Sequence, residues 1–279
     1  MYNNHLGRKL VLLLCSCVFT INVSAQYTEE EGGVESKLGY LRYIGIGAGA
    51  TYQVMNDPAI SPIVYSRVGA LPMLSHLKIN ESTYSEISLR ASSLRLTHNT
   101  DKPAKVYAKT QRALMDYRFL VNLPMDMRDM EIRAGGMLSA MFGHKRAEHL
   151  VDASRVYEYA ISLGLCGKIS KEITFGDKTG FLTWDLAIPF FANISRPYYL
   201  NREELADPDN KPGKDFFDNA VTGTFGKYFR LNSRAALMYR LTNGNMIQFA
   251  YQWDYTRMKT IHKAYFAEHI LSVTFMFNY

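Results

Sequence analysis

Cysteine is nearly missing from this chain. Of its three cysteines, Cys15 and Cys17 lie in an N-terminal stretch that reads as a cleaved signal, so one thiol, Cys166, remains. A lone cysteine cannot form an internal disulfide, which excludes a disulfide framework. Set between Gly164-Leu165 and Gly167 with no adjacent His, it reads as a small filler residue rather than a nucleophile. Sustained apolarity is lacking as well: a mean hydropathy of −0.16 with 21% charged residues excludes a bundle of membrane helices. No Gly-x-Ser-x-Gly elbow, phosphate loop or His-Glu-x-x-His motif occurs. The alternation of Gly45, Gly47 and Gly49 has the wrong spacing for a dinucleotide fingerprint, and no helix follows it. The formal charge of +6 raises a nucleic-acid reading, which fails on pattern, because the arginines are spread along segments with acids between them. No cofactor and no metal site is expected.

Aromatic residues, by contrast, are abundant, with 19 Tyr and 15 Phe among 279 residues. Residues 1–25 have the layout of a secretory signal: Arg8 and Lys9, an apolar core from Leu10 to Phe19, and small residues at Val23-Ser24-Ala25 before Gln26. The core is short for a membrane-spanning anchor, the alternative reading. Its removal leaves a formal charge of about +4 (+6 minus Arg8 and Lys9). Residues 26–39 are acidic at Glu29-Glu30-Glu31 and read as a flexible segment. Residues 40–279 form one domain, with no repeat or linker.

Period-two alternation dominates that domain and predicts strands with two unlike faces. Ten segments show it: 40–55, 60–71, 84–97, 106–123, 130–142, 155–169, 181–195, 228–241, 246–257 and 264–279. The second is the weakest, the third changes phase at Ser92-Ser93 as a bulge would, and Pro189 in the seventh demands a bulge or a loose rim. Most run 12 to 16 residues. Soluble strands peak near five or six, whereas a tilted strand needs about 9 to 11 residues to cross hydrocarbon. The connections agree at one pair. Thr242-Asn243-Gly244-Asn245 is a tight hairpin signal, and 196–227 is a long polar stretch. The connection assigned to 72–83 is not short.

The last segment ends on Leu271, Val273, Phe275, Phe277 and Tyr279, alternating with Ser272, Thr274, Met276 and Asn278. A terminal aromatic behind apolar residues at every second position resembles the closing strand of bacterial outer-membrane β-barrel proteins. Gln26 after the signal resembles exported proteins of the Bacteroidota. The resemblance covers the mature chain as architecture. It implies an all-β, transmembrane antiparallel up-and-down barrel of about ten strands (8 or 12 being alternatives), set in outer-membrane lipid. It also implies that the barrel-assembly machinery reads the closing strand.

With the apolar faces in lipid, the other faces line a lumen. Its expected polar network comprises Arg90, Arg112, Asp116, Arg118, Glu131, Arg133, Glu158, Asp185, Arg234, Arg240 and Asp254, with Glu86, Lys168 and Arg230 on the same faces. Both signs occur on facing strands, and ten strands enclose little space, so the lumen is expected to be largely filled by ion pairs. This points to a structural, surface-interaction or narrow-transport barrel. Two alternatives stand. One is a rim hydrolase built on His144, Glu148, His149 and Asp152 with His262, Glu268 and His269. The other is a soluble secreted β-barrel that binds an apolar ligand.

Overall fold

The computed structural model describes residues 41–98, 106–125, 130–147, 155–175, 178–196, 220–260 and 262–279. The expected signal (1–25) and flexible segment (26–39) lie outside the described residues. Eleven strands follow in order: β1 (Leu41–Asp57), β2 (Ser61–Ile79), β3 (Thr83–Thr97), β4 (Tyr107–Asn122), β5 (Met130–Ala147), β6 (Arg155–Phe175), β7 (Lys178–Ser195), β8 (Val221–Gly223), β9 (Tyr228–Arg240), β10 (Met246–Lys259) and β11 (Lys263–Asn278). All but β8 pair antiparallel in sequence order, and β1 pairs β11, which closes a ten-stranded barrel. β8 adds three residues against Ala192–Ile194 of β7.

The wall follows from the alternation. Along β11, Leu271, Val273, Phe277 and Tyr279 are 63, 49, 46 and 61% exposed, while the intervening Ser272, Thr274 and Met276 are buried. The same strand meets β1 at Ala50–Leu271, Ala48–Val273, Ile46–Phe275 and Ile44–Phe277, so the seam has an apolar outer surface. Ile46, Leu165, Leu182, Trp184 and Phe249 continue that surface around the ring. An apolar band over a whole barrel wall would be an aggregation surface in water; in a bilayer it is solvated by acyl chains, and closure leaves no edge unpaired.

The chain enters β1 and leaves β11 at the same end, here the lower one. Lower connections are short: 80–82, 123–129, 176–177 and 241–245. In the last, Gly244 adopts φ of 83°, a left-handed conformation that glycine takes without a Cβ clash. The upper connection from β7 to β9 is the longest and carries β8. The upper connections 58–60 and 260–262 are short too, but the two longest links, 98–106 and that from β7 to β9, are both at the upper end, the end opposite the periplasmic turns in outer-membrane barrels.

Three details correct the sequence reading, and a fourth decides between its two alternatives. β2 runs on to Ile79, so its link to β3 is the short turn 80–82. Apolar side chains occupy both faces, with Tyr65, Leu71 and Leu77 buried against Val64, Val68 and Leu74 exposed, which erases the alternation. No bulge occurs in β3, whose register with β4 is continuous from Thr83 to Thr97. The phase change at Ser92-Ser93 is one of polarity only, because Leu94 and Leu96 turn inward to an apolar patch with Met55 and Tyr65. His144 belongs to β5 and not to the connection after it. Finally, the choice left open at Pro189 resolves as a bulge. Gly164 pairs Pro189 and Leu163 pairs Phe191, so Phe190 is the extra residue. The two backbones approach so closely there that a Cβ on Gly164 would lie 2.4 Å from the Pro189 Cα.

Inside, apolar and charged layers alternate. A lower apolar layer holds Tyr43, Leu77, Tyr84, Leu120, Met137 and Met246. Upper apolar patches form around Leu114, Met141, Ile194 and Met258 and around Met55, Leu96 and Phe266. Most of the inward charges lie between and above them.

Candidate functional site

The central charges meet across the lumen. Arg234 of β9 grips Glu86 of β3 with two hydrogen bonds of 2.6 Å. These strands are five places apart either way round the ring, so the pair spans its full width. The Arg234 Nε also donates to Asp185 at 2.9 Å, and Lys168 reaches Asp185 at 3.1 Å. Glu86 accepts the Tyr84 hydroxyl at 2.9 Å. Arg118 lies 3.7 Å from Glu86 and donates to Asn232 at 2.8 Å.

Arg230 is the second hub. Its guanidinium donates to Asp116 across the lumen at 2.7 and 2.9 Å, to Asp254 at 2.7 Å and to the Ser139 hydroxyl at 2.7 Å. Asp254 also accepts Asn232 at 3.0 Å and pairs with Arg90. Arg112 donates to Thr256 at 3.1 Å and stacks 4.2 Å above the Phe266 ring. Glu268, 3.9 Å from Arg112, takes hydrogen bonds of 2.8 Å from Thr51 and Gln53. Moving such charges out of water costs several kcal/mol each, roughly, unless partners of good geometry replace the water. Here Asp116, Glu86 and Asp254 each hold two or more donors. In this band the cations Arg90, Arg112, Arg118, Lys168, Arg230 and Arg234 face the carboxylates Glu86, Asp116, Asp185, Asp254 and Glu268, six against five.

A second brace lies nearer the upper end. Asp57 of β1 pairs with Arg196, which follows β7, and with Lys145 of β5 at 3.2 Å. Lys145 reaches Glu158 of β6 at 2.7 Å. Three walls of the ring are thereby tied together under the loops.

Of the expected lumen residues, Arg90, Arg112, Asp116, Arg118, Asp185, Arg234 and Asp254 gather in the central band, and Glu158 belongs to the upper brace. Glu131 and Arg133 form their own pair at 2.5 Å near the lower end. Arg240 lies on the same face at the lower mouth, where it is exposed. Sequence reasoning missed Asp57, Lys145, Arg196, Gln53 and Ser139. Their position opposite exposed residues in alternating strands was the available signal, but Asp57, Lys145 and Arg196 fell beyond or at the ends of the expected segments.

The expected rim site does not assemble among the described residues. His144 faces outward, stacked on Tyr157 at 4.6 Å and 3.1 Å from the Gln111 amide oxygen. His269 also faces outward, against the Tyr251 hydroxyl at 2.8 Å, whereas its neighbour Glu268 points into the lumen. His262 is exposed, with its carbonyl accepting Arg196 at 3.5 Å. Glu148, His149 and Asp152 lie outside the described residues. No group of three metal-ligating side chains occurs among the described residues.

No protein-family model matches the chain, and no curated protein is similar to it. Among solved structures, the outer membrane protease OmpT of Escherichia coli is similar at 8% identity and a TM-score of 0.44, covering 88% of this chain and 99% of its own. Neisserial surface protein A is similar at 9% identity and a TM-score of 0.34, over 84% of this chain and 97% of its own. The attachment invasion locus protein Ail of Yersinia pestis is similar at 8% identity and a TM-score of 0.33, over 86% of this chain and 100% of its own. These likenesses are loose. Placement in the outer membrane rests on the wall itself: a closed antiparallel barrel with an apolar outer band, charges turned inward and its longest connections at one end.

Proposed function

We propose that this barrel is a closed, non-catalytic component of the Gram-negative envelope that holds its upper loops at the cell surface. In this reading it folds after removal of a signal at 1–25, and the assembly machinery engages the closing strand at Leu271–Tyr279. The single observation that carries the proposal is the cross-lumen pairing of Arg234 with Glu86, of Arg230 with Asp116 and of Arg90 with Asp254. A continuous water path would have to break charge pairs that are already desolvated, at a cost of several kcal/mol, roughly. Ten strands leave little room beside them. A binder of apolar molecules is disfavoured, since the band that crosses the interior is ionic.

The test is conductance of the purified, detergent-refolded barrel in planar bilayers. The expected trace shows no sustained open level, and a stable ohmic conductance from the native chain would reject the closed lumen. A narrow anion path is the second reading. It is favoured by the excess of one cation in the central band and by Arg90 Nη1 and Arg118 Nε, which are buried with no hydrogen-bond partner among the described residues. It predicts a small conductance that selects for anions.

A further inference from the structure

One corner of the outer wall departs from the apolar rule. Arg95 of β3 lies opposite Lys109 of β4, Lys109 opposite Arg146 of β5, and Arg146 opposite Arg155 of β6. These are direct cross-strand partners in one row near the upper end, and Arg95, Lys109 and Arg146 are exposed. Like charges directly opposite one another destabilise a sheet. Arg95 lays its guanidinium over the Tyr107 ring at 4.0 Å, which leaves Lys109 and Arg146 as the facing cations at the centre of the row. Every Asp and Glu of the described strands falls on the inward-facing positions, so no carboxylate of those strands shares the outer face with the row.

Directly below the row the outer surface is grooved. Pro72, Ala91, Ser93, Gln111, Phe142 and Tyr157 line the groove. In register, the row of Ser93, Gln111, His144 and Tyr157 lies one step beneath the cations, and Ala91, Ala113 and Phe142 lie one step lower still. The floor is hollow because its residues are small and because the ladder between β2 and β3 lapses between the pairs Ser66–Thr97 and Met73–Arg90. Pro72, which has no N–H to donate, sits in that lapse. From top to bottom, this corner therefore presents cations, then hydrogen-bonding and amphipathic groups, then an apolar trough.

We infer that this corner binds a phosphate-bearing acyl lipid of the outer leaflet, with its phosphate on Lys109 and Arg146 and an acyl chain in the trough beside Ala91 and Phe142. Charge complementarity selects an anion, since cations at headgroup level attract anionic lipid at about 1 kcal/mol each. The trough beneath selects a lipid over a soluble anion: a free phosphate would satisfy the row and leave the groove unused. Orientation selects the outer leaflet, because the row lies at the long-loop end.

The experiment is native mass spectrometry of the full mature chain released from detergent, titrated with diacyl phosphatidic acid, diacylglycerol or inorganic phosphate. Phosphatidic acid is expected to be retained, and the other two are expected to be lost. The double variant Lys109→Gln, Arg146→Gln should weaken phosphatidic acid retention by about tenfold or more. Lys259→Gln, which removes an exposed upper cation from the opposite wall, should leave it unchanged. Ala91→Trp should weaken it with all charges intact, by filling the trough. Heat-modifiable gel migration of each variant confirms the folded barrel. Equal retention of diacylglycerol, tight binding of inorganic phosphate alone, or undiminished retention by the double variant would each overturn the assignment.

Discussion

Arg234 of β9 lies on the inner face of the barrel and Arg146 of β5 on the outer face, and their surroundings differ completely. Arg234 is buried, with Glu86 and Asp185 within 2.9 Å. Arg146 is exposed, with Lys109 and Arg155 as its cross-strand partners. The inner face thus carries both signs in matched pairs, and the outer face of the described strands carries cations and no carboxylate. An inward charge cannot reach bulk solvent, so it is tolerated only with its counter-charge. An outward charge at the barrel's upper end can snorkel to the headgroups, so its partner need not be protein.

The most direct way to break this contrast is to strip a hub from the inner face. Arg230→Ala leaves Asp116 without its bidentate partner and removes one of the cations on Asp254. Breaking a buried pair in this way costs about 3–5 kcal/mol, read as a loss of unfolding free energy in urea titrations of the barrel in lipid vesicles. Adding Asp116→Ala should cost less than the sum of the two single changes, because the second substitution removes the stranded charge. Strict additivity would mean that the pair does not couple across the lumen.

The next change places an inner-type residue on the outer face. Leu271, 63% exposed, lies midway along β11 between Ala50 and Tyr251. Leu271→Arg is expected to destabilise by about 2–4 kcal/mol, the cost of a cation near the bilayer midplane. A cost near zero would mean that this face meets water, and the membrane assignment would fail with it.

Legibility in the sequence followed the same division. Where one face was apolar and the other polar, strand bounds and direction could be read, as in β9, β10 and β11. β2 could not, because Leu71 and Leu77 inside and Val68 and Leu74 outside present grease to both sides. The partners in the central band were legible as a set, since Arg234, Asp185 and Asp254 occupy the polar phase of their strands. Who pairs with whom was not, because Glu86 and Arg234 are 148 residues apart and meet only once the ring has closed. The upper brace escaped for a different reason. Asp57, Lys145 and Arg196 lie where strands pass into connections, and period-two reasoning stops there. The cation row was invisible as a row until register was known, since nothing in the chain order places Arg95 beside Lys109.

The smallest expected effect is the one whose sign separates the two faces. In vesicles of zwitterionic lipid, Arg146→Gln removes no carboxylate partner of the described strands and relieves repulsion from Lys109. Cross-strand like-charge pairs cost a few tenths of a kcal/mol to about 1 kcal/mol, so unfolding free energy should stay level or rise by about 0.5 kcal/mol. Adding anionic lipid to the vesicles should reverse the order, because the native chain then gains an attraction that the variant lacks. Charge removal inside the barrel destabilises in either lipid, since no headgroup can reach Asp116. A fall in stability for Arg146→Gln in zwitterionic lipid would mean that the outer cations, like the inner ones, are held by protein partners.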